Sequence, residues 1–197
     1  MLIGLLRHGE VEGGRRFWGR SDVPLSLTGL VRMQAAADAG PLWDRVISSP
    51  LSRCAEFAQA YARRHRLSLT LDPRLQEMDF GAWERRSAEE IMTTAPDALR
   101  RFWEAPDVHP PPGGEALADF RHRALLAWEA ILAAHIDADR ILVVTHGGVI
   151  RVLLAHVLEP SSKRLLEWEV GYASLHCLHV GGSDGGLEVR LMQRGGT

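Results

Sequence analysis

The stretch Leu5-Leu6-Arg7-His8-Gly9-Glu10 decides how this 197-residue chain folds. An apolar run over residues 1–6 stops at an arginine and a histidine, and a glycine follows at once. Such a run reads as a short buried strand of a parallel sheet. Far downstream the pattern recurs as Ile141-Leu142-Val143-Val144-Thr145-His146-Gly147-Gly148. Each strand delivers a histidine at its C-terminal end, so both imidazoles reach one edge of a sheet. Open α/β sheets place their ligands at that edge.

Working outward, a Gly- and Arg-rich loop runs from residue 9 to about 27. Ser26 or Thr28 can cap a helix carrying Leu30, Met33 and Ala37 at helical spacing. Residues 45–49 read as a second strand stopped by Pro50, and residues 51–64 as a helix with Phe57, Ala58 and Tyr61 on one side. Residues 67–71 form a third, weakly alternating strand. From about residue 75 the character changes: Trp83, Trp103, several charges and Pro106, Pro110, Pro111 and Pro112 follow. Residues 78–112 are read as an insertion of short helices covering the sheet edge. Residues 115–135 then predict a long helix with an apolar stripe of Leu117, Phe120, Ala124, Trp128 and Ile131. A strand over 140–145, a helix over 149–158 and alternating edge strands over 165–193 complete the chain. This order predicts one domain over 1–197, a three-layer α/β/α fold with a mostly parallel central sheet.

Composition excludes several classes. The chain is 46% hydrophobic and 24% charged with a formal net charge of -2, so nothing global draws it to nucleic acid or an acidic membrane. No apolar run approaches membrane-spanning length. The N-terminus lacks the basic lead-in and apolar length of a signal peptide. Cys54 and Cys177 are far apart and outside any C-x-x-C pair, so a reducing, cytoplasmic setting is expected. Ala60 and Ser183 stand six residues after these cysteines, where a cysteine-phosphatase loop needs arginine.

The strand-end residues suggest phosphate chemistry. Arginine presents a planar, permanently charged fork to phosphate oxygens. A neutral imidazole is a good nucleophile when its other ring nitrogen donates to a fixed acceptor. The plainer alternative for Arg7 and His8 is a surface arginine beside a partly buried histidine. His146 with Gly147 and Gly148 forms a strand-to-helix turn whose free N–H groups suit an anion; a satisfied core histidine is the alternative. Arg53, in Ser48-Ser49-Pro50-Leu51-Ser52-Arg53, stands at a helix N-terminus, where a cation is disfavoured unless an anion is near. Glu77 is the candidate proton donor, with Asp79 and Glu84 as rivals in the same stretch. No Walker-type loop and no H-E-x-x-H or H-x-x-E-H zinc motif occurs, and arginines beside His8 would repel a cation.

Together these segments resemble the histidine phosphatase (phosphoglycerate mutase-like) superfamily over nearly the whole chain. The resemblance rests on R-H-G at 7–9, S-S-P-L-x-R at 48–53, L-x-E with F-G-x-W-E at 75–84, P-G-G-E at 112–115 and H-G-G-x-x-R at 146–151. The loop from Asp22 to Gly29 also matches. The resemblance implies that His8 becomes phosphorylated, that Arg7, Arg53 and His146 complete the phosphate pocket, and that Glu77 is the proton donor. Arg20, Glu84, Gly14 and Gly147 are the further expected substrate contacts. Val11 stands where the family usually has Thr or Ser, Gly14 where an Asn is common, and Arg85 where a Gly often follows W-E. These departures bear on substrate contacts, with a backbone N–H of Gly14 expected to replace the Asn partly. Within the superfamily, the tryptophan-containing middle is similar to α-ribazole-5'-phosphate phosphatases of cobalamin assembly. Phe102 and Trp103 would stack on an aromatic base or belong to the core of the cover.

The expected activity is therefore a metal-independent phosphomonoesterase working through phosphohistidine on a small phosphorylated metabolite such as α-ribazole 5'-phosphate, without cofactor. The rivals are a phosphoglycerate-type phosphomutase and a non-catalytic phosphate-binding or interaction domain. Neither nucleic acid nor membrane is an expected partner, and the C-terminal edge strands offer a route to a homodimer.

Overall fold

The computed structural model describes residues 1–134, 140–158, 168–183 and 186–193. Its centre is a six-stranded sheet built from β1 (Leu2–Arg7), β2 (Arg45–Ser48), β3 (Ser68–Leu71), β4 (Arg140–Thr145), β5 (Leu175–Ser183) and β6 (Gly186–Gln193). The spatial order is β3-β2-β4-β1-β5-β6. The first four are parallel; β5 and β6 run antiparallel to their neighbours. The fold is thus α/β with a mostly parallel sheet.

Strand alternation divides the core into two layers. Ile3, Leu5, Ile141 and Val143 face α5 (Leu117–Ala134) and α6 (Gly147–Leu158). Leu6, Leu142 and Val144 face α1 (Leu27–Ala39) and α2 (Ser52–His65). Ser26 caps α1 by accepting from Gly29 N, and its helix turns Gly29, Met33 and Ala37 inward. Leu30, expected on that face, is instead 39% exposed, because the buried sector is centred on the neighbouring 29-33-37 row. Gly9 and Gly29 let β1's exit loop and α1 touch: a Cβ on Gly9 would stand 2.3 Å from Gly29 O.

Two 3₁₀ turns (Pro73–Leu75 and Gly81–Trp83) and two short helices, α3 (Ala88–Thr94) and α4 (Pro96–Glu104), fill the middle of the chain. Trp83, Ile91, Leu99 and Phe102 bury themselves in the same core as α5 and α6. The expected stripe of α5 is fully inward, but the helix starts at Leu117, later than Glu115. Glu115 remains in the preceding turn, where it accepts from Asp79 N at 3.3 Å and pairs with Arg123 at 2.7 Å. The expected helix end at His135 lies outside the described residues, as does the expected start of the C-terminal strands at 165. β5 corrects the edge-strand reading: it is an interior strand between β1 and β6, with Leu175, Cys177, Leu178 and Val180 buried. Among the described residues no helix is long and apolar enough to cross a membrane.

Candidate active site

Register brings the histidines together. Arg7 pairs with Thr145 across β1 and β4, so His8 and His146 are the residues just past two adjacent strand ends. His8 N donates to Thr145 O at 2.9 Å, and Ser49 N, past the end of β2, donates to Val144 O at 2.9 Å. The two imidazoles meet edge to face with centroids 5.2 Å apart. Both are buried.

Their partners fix their protonation. His8 Nδ1 lies 2.8 Å from Gly9 O, which can only accept; Nδ1 therefore carries the hydrogen and Nε2 keeps its lone pair. His146 differs. Arg53 Nε donates to its Nδ1 at 3.2 Å, so its hydrogen sits on Nε2, 2.8 Å from Ser49 Oγ. Both nitrogens of His146 are committed, while His8 retains a free one on the wall of the cleft. Burial pushes the His8 imidazole well below its ordinary value, and Arg53 and Arg7 push it further against the bond to Gly9. Burial, then Arg53, His8 and Arg7, do the same to His146. Cys54 Sγ lies 3.7 Å from His146 Nε2, but burial holds its thiol up at about 12, which leaves it unreactive.

This sets a pH dependence. Both imidazoles titrate lower in the folded chain than the unfolded value of about 6.5. Below that pH the unfolded chain takes up protons that the folded chain refuses. Stability is therefore complete above about pH 6.5 and falls as pH drops below it, by up to about 1.4 kcal/mol per pH unit for each imidazole. Urea titrations should show little change from pH 7.5 to 6.5 and a falling midpoint from pH 6.5 to 5.5; a midpoint rising toward pH 5.5 would contradict the buried neutral pair.

Arg7 reaches the same edge. Its Nη1 donates to Val170 O at 2.7 Å, its guanidinium carbon lies 4.1 Å over the Tyr172 ring, and its Nε is buried without a partner. Gly147 passes behind it: a Cβ there would stand 3.2 Å from Arg7 Nε and 3.1 Å from Arg151 Nη1. Arg53 is fully buried at the start of α2. Four of its five N–H donors point to protein: Nε to His146, Nη1 to Ser21 O at 2.9 Å, and Nη2 to Trp18 O and Gly19 O, each at 2.7 Å. It ties the 18–21 loop to the histidine pair.

Glu77 sits against the N-terminus of α6. Its Oε2 accepts from Gly148 N at 3.0 Å and its Oε1 from Met78 N at 3.1 Å. Only glycine permits this seat, since a Cβ at 148 would lie 2.2 Å from Oε1. Arg123 holds the segment from behind, donating to the carbonyls of Arg74, Gln76 and Glu77 at 2.7–2.9 Å. The P-G-G-E motif acts through this arginine, because Glu115 accepts from Arg123 Nε and Nη2.

Arg7, His8 and Glu77 line one cleft of about 180 Å³ with Arg16, Trp18, Arg151 and Tyr172. Arg53 and His146 stand behind His8 and do not line it. The four further expected contacts, Gly14, Arg20, Glu84 and Gly147, also fall outside its wall. Gly14 is an exposed left-handed turn (φ 77) whose carbonyl accepts from Trp18 Nε1. Arg20 donates to Gln76 Oε1 at 3.0 Å. Glu84 staples two loops by accepting from the backbone N–H groups of Arg20, Ser21 and Phe80. Burial opposes its charge, yet bonds from Ser21, Phe80 and Arg20 outweigh it and hold the carboxyl below the usual range. Sequence reasoning gave no role to Arg151, although it sits one turn after Gly147 on α6 and so shares its face. Tyr172 carried no signal, and Arg16 stood out only as one of the arginines of the Gly- and Arg-rich loop. Among the described residues no group of His, Cys, Asp and Glu could hold a metal ion.

An anion-sized cleft with a free imidazole nitrogen, an arginine whose Nε has no partner and a carboxylate is the equipment of phosphoryl transfer through histidine. Residues 3–192 match the family model of the histidine phosphatase superfamily (branch 1), and the chain belongs to that family. It is 35% identical over 199 residues to a bifunctional protein of Mycobacterium tuberculosis; that match covers 98% of this chain and 53% of the other. The chain thus spans about half the length of the first curated relatives it matches. It is 34% identical to the glucosyl-3-phosphoglycerate phosphatase of Mycolicibacterium vanbaalenii, over 78% of this chain and 72% of that one. The α-ribazole phosphatase of Shigella flexneri superposes with a TM-score of 0.80 at 23% identity, covering 97% and 95% of the two chains, which shows the shared fold.

Proposed function

We propose that the protein is a metal-independent phosphomonoesterase that passes the phosphoryl group through His8. The observation that carries this reading is the unequal state of the two histidines: His8 alone keeps a lone pair at the cleft wall. His8 Nε2 attacks phosphorus in line, the bond to the alcohol oxygen breaks, and the departing oxygen takes a proton from Glu77. In the second step Glu77 takes a proton from water, which attacks phosphorus and frees the imidazole. Arg7 Nε donates to a non-bridging oxygen. Arg53 contributes its charge from behind the cleft, while His146 braces the nucleophile. These donors stand in place before charge develops, which is the main source of stabilisation. The substrate is a small phosphomonoester, with α-ribazole 5'-phosphate the first metabolite to assay.

The test is steady-state hydrolysis of α-ribazole 5'-phosphate, 3-phosphoglycerate and sugar phosphates in excess chelator. Free phosphate should be released with no bisphosphorylated primer present. Primer-dependent conversion of 3-phosphoglycerate to its positional isomer without net phosphate release would indicate a phosphomutase, and activity lost to the chelator would end the metal-free mechanism. Glu77→Gln should lower kcat by roughly 10²–10⁴-fold.

A further inference from the structure

A second cavity of about 210 Å³ opens beside the phosphate cleft. The two share Phe17, Glu77, Phe80 and Arg151 as a common wall. The rest of the second cavity is apolar: Phe102 and Trp103 from α4, Leu117 and Phe120 from α5, and Val152 from α6. Phe102 is locked edge-on against Trp83, with centroids 5.3 Å apart. Trp103 projects at the rim with 43% of its surface exposed.

The position of Glu77 gives this cavity a direction. An acid that protonates the departing oxygen must stand on that oxygen's side of the phosphorus. The carbon skeleton of the alcohol then extends past Glu77 into the second cavity. A polyol or carboxylate placed there would lose its hydrogen bonds to water, and the aromatic and aliphatic walls return none. Arg151 is the cation of the shared wall. Its Nε is taken by Trp168 O at 2.9 Å, and its charge faces Glu77.

We infer that this cavity is the leaving-group subsite and that it takes an apolar, ring-bearing alcohol. The substrate class is thus phosphomonoesters with an aromatic or otherwise hydrophobic ring a few atoms from the phosphate, not phosphoglycerates or simple sugar phosphates. The inference rests on the phosphomonoesterase reading and deepens it.

The test compares kcat/KM for 2-phenylethyl phosphate, glycerol 3-phosphate and 3-phosphoglycerate. All three leave as primary alcohols, so their intrinsic reactivity is closely matched. Burying the ring should favour 2-phenylethyl phosphate by a factor on the order of 100. Trp103→Ala, at a half-exposed rim position, should shrink that ratio about fivefold or more. Calorimetric Kd values for the same esters on the His8→Ala variant read the subsite without turnover. Equal kcat/KM and equal Kd values, or a preference for 3-phosphoglycerate, overturn the subsite and leave the phosphatase standing. Absence of turnover on every ester, with 2-phenylethyl phosphate still bound preferentially, overturns the phosphatase reading alone.

Discussion

An His8→Ala variant is expected to lose turnover by about 10⁴-fold or more and to take up no acid-labile phosphate from a labelled substrate. The size follows from what is removed. Nucleophiles that form covalent intermediates carry effects of this order, because no other group can substitute for the bond they make. The neighbouring imidazole is no replacement. His146 lies only 5.2 Å away by ring centroid, but its Nδ1 receives Arg53 and its Nε2 faces Ser49. Rapid quench in base, which preserves a phosphoramidate, should show the label in the parent protein and none in the variant. A matching thermal unfolding curve would show that the loss is chemical. Turnover within tenfold of the parent would remove His8 from the mechanism.

Arg53→Ala carries the second large effect, and it falls on stability as well as rate. The substitution strips Trp18 O, Gly19 O, Ser21 O and His146 Nδ1 of their donor in a buried setting. Orphaned buried acceptors and the loss of a fixed charge together cost about 3–5 kcal/mol. The 18–21 loop supplies Trp18 to the cleft wall, so kcat/KM should fall by roughly 10²-fold or more as well. Arg53→Lys is the informative companion. One ammonium group restores the charge but cannot reach a ring nitrogen and three carbonyls arranged around a planar fork. It should leave most of the stability loss in place in urea titrations. Full recovery by lysine would mean that Arg53 acts through its charge alone.

Much of the fold was legible because buried parallel strands leave short, continuous apolar runs. β1, β2 and β4 all ended where glycine, proline or a charge interrupted such a run. The inward stripe of α5 was equally plain, since five large or close-packing residues recur at helical spacing. Weaker patterns misled. Leu30 matched the helical period of α1 yet faces outward, because period alone does not choose between adjacent rows. The alternation of β5 resembled an edge strand, but an antiparallel neighbour on each side makes it interior. Arg123 and Tyr172 went unassigned, since their parts come from long-range contacts with no local signature, whereas Arg151 closes the H-G-G-x-x-R motif but drew no role from it.

Sequence by itself determined which residue types gather at the sheet edge: two histidines and two arginines, each at a strand or helix end, and a glutamate in the segment leading into the middle of the chain, in the order of a histidine phosphatase. Local chain chemistry suffices for that, because strand ends and glycine turns are written in consecutive residues. Only the tertiary structure decided their division of labour. Which imidazole keeps a lone pair, which guanidinium faces the cleft and which braces a loop, and what surrounds the leaving oxygen all depend on hydrogen-bond partners as much as 163 residues apart. Those partners meet only when the sheet register and helix packing bring them within 3 Å or so, a distance no local pattern encodes.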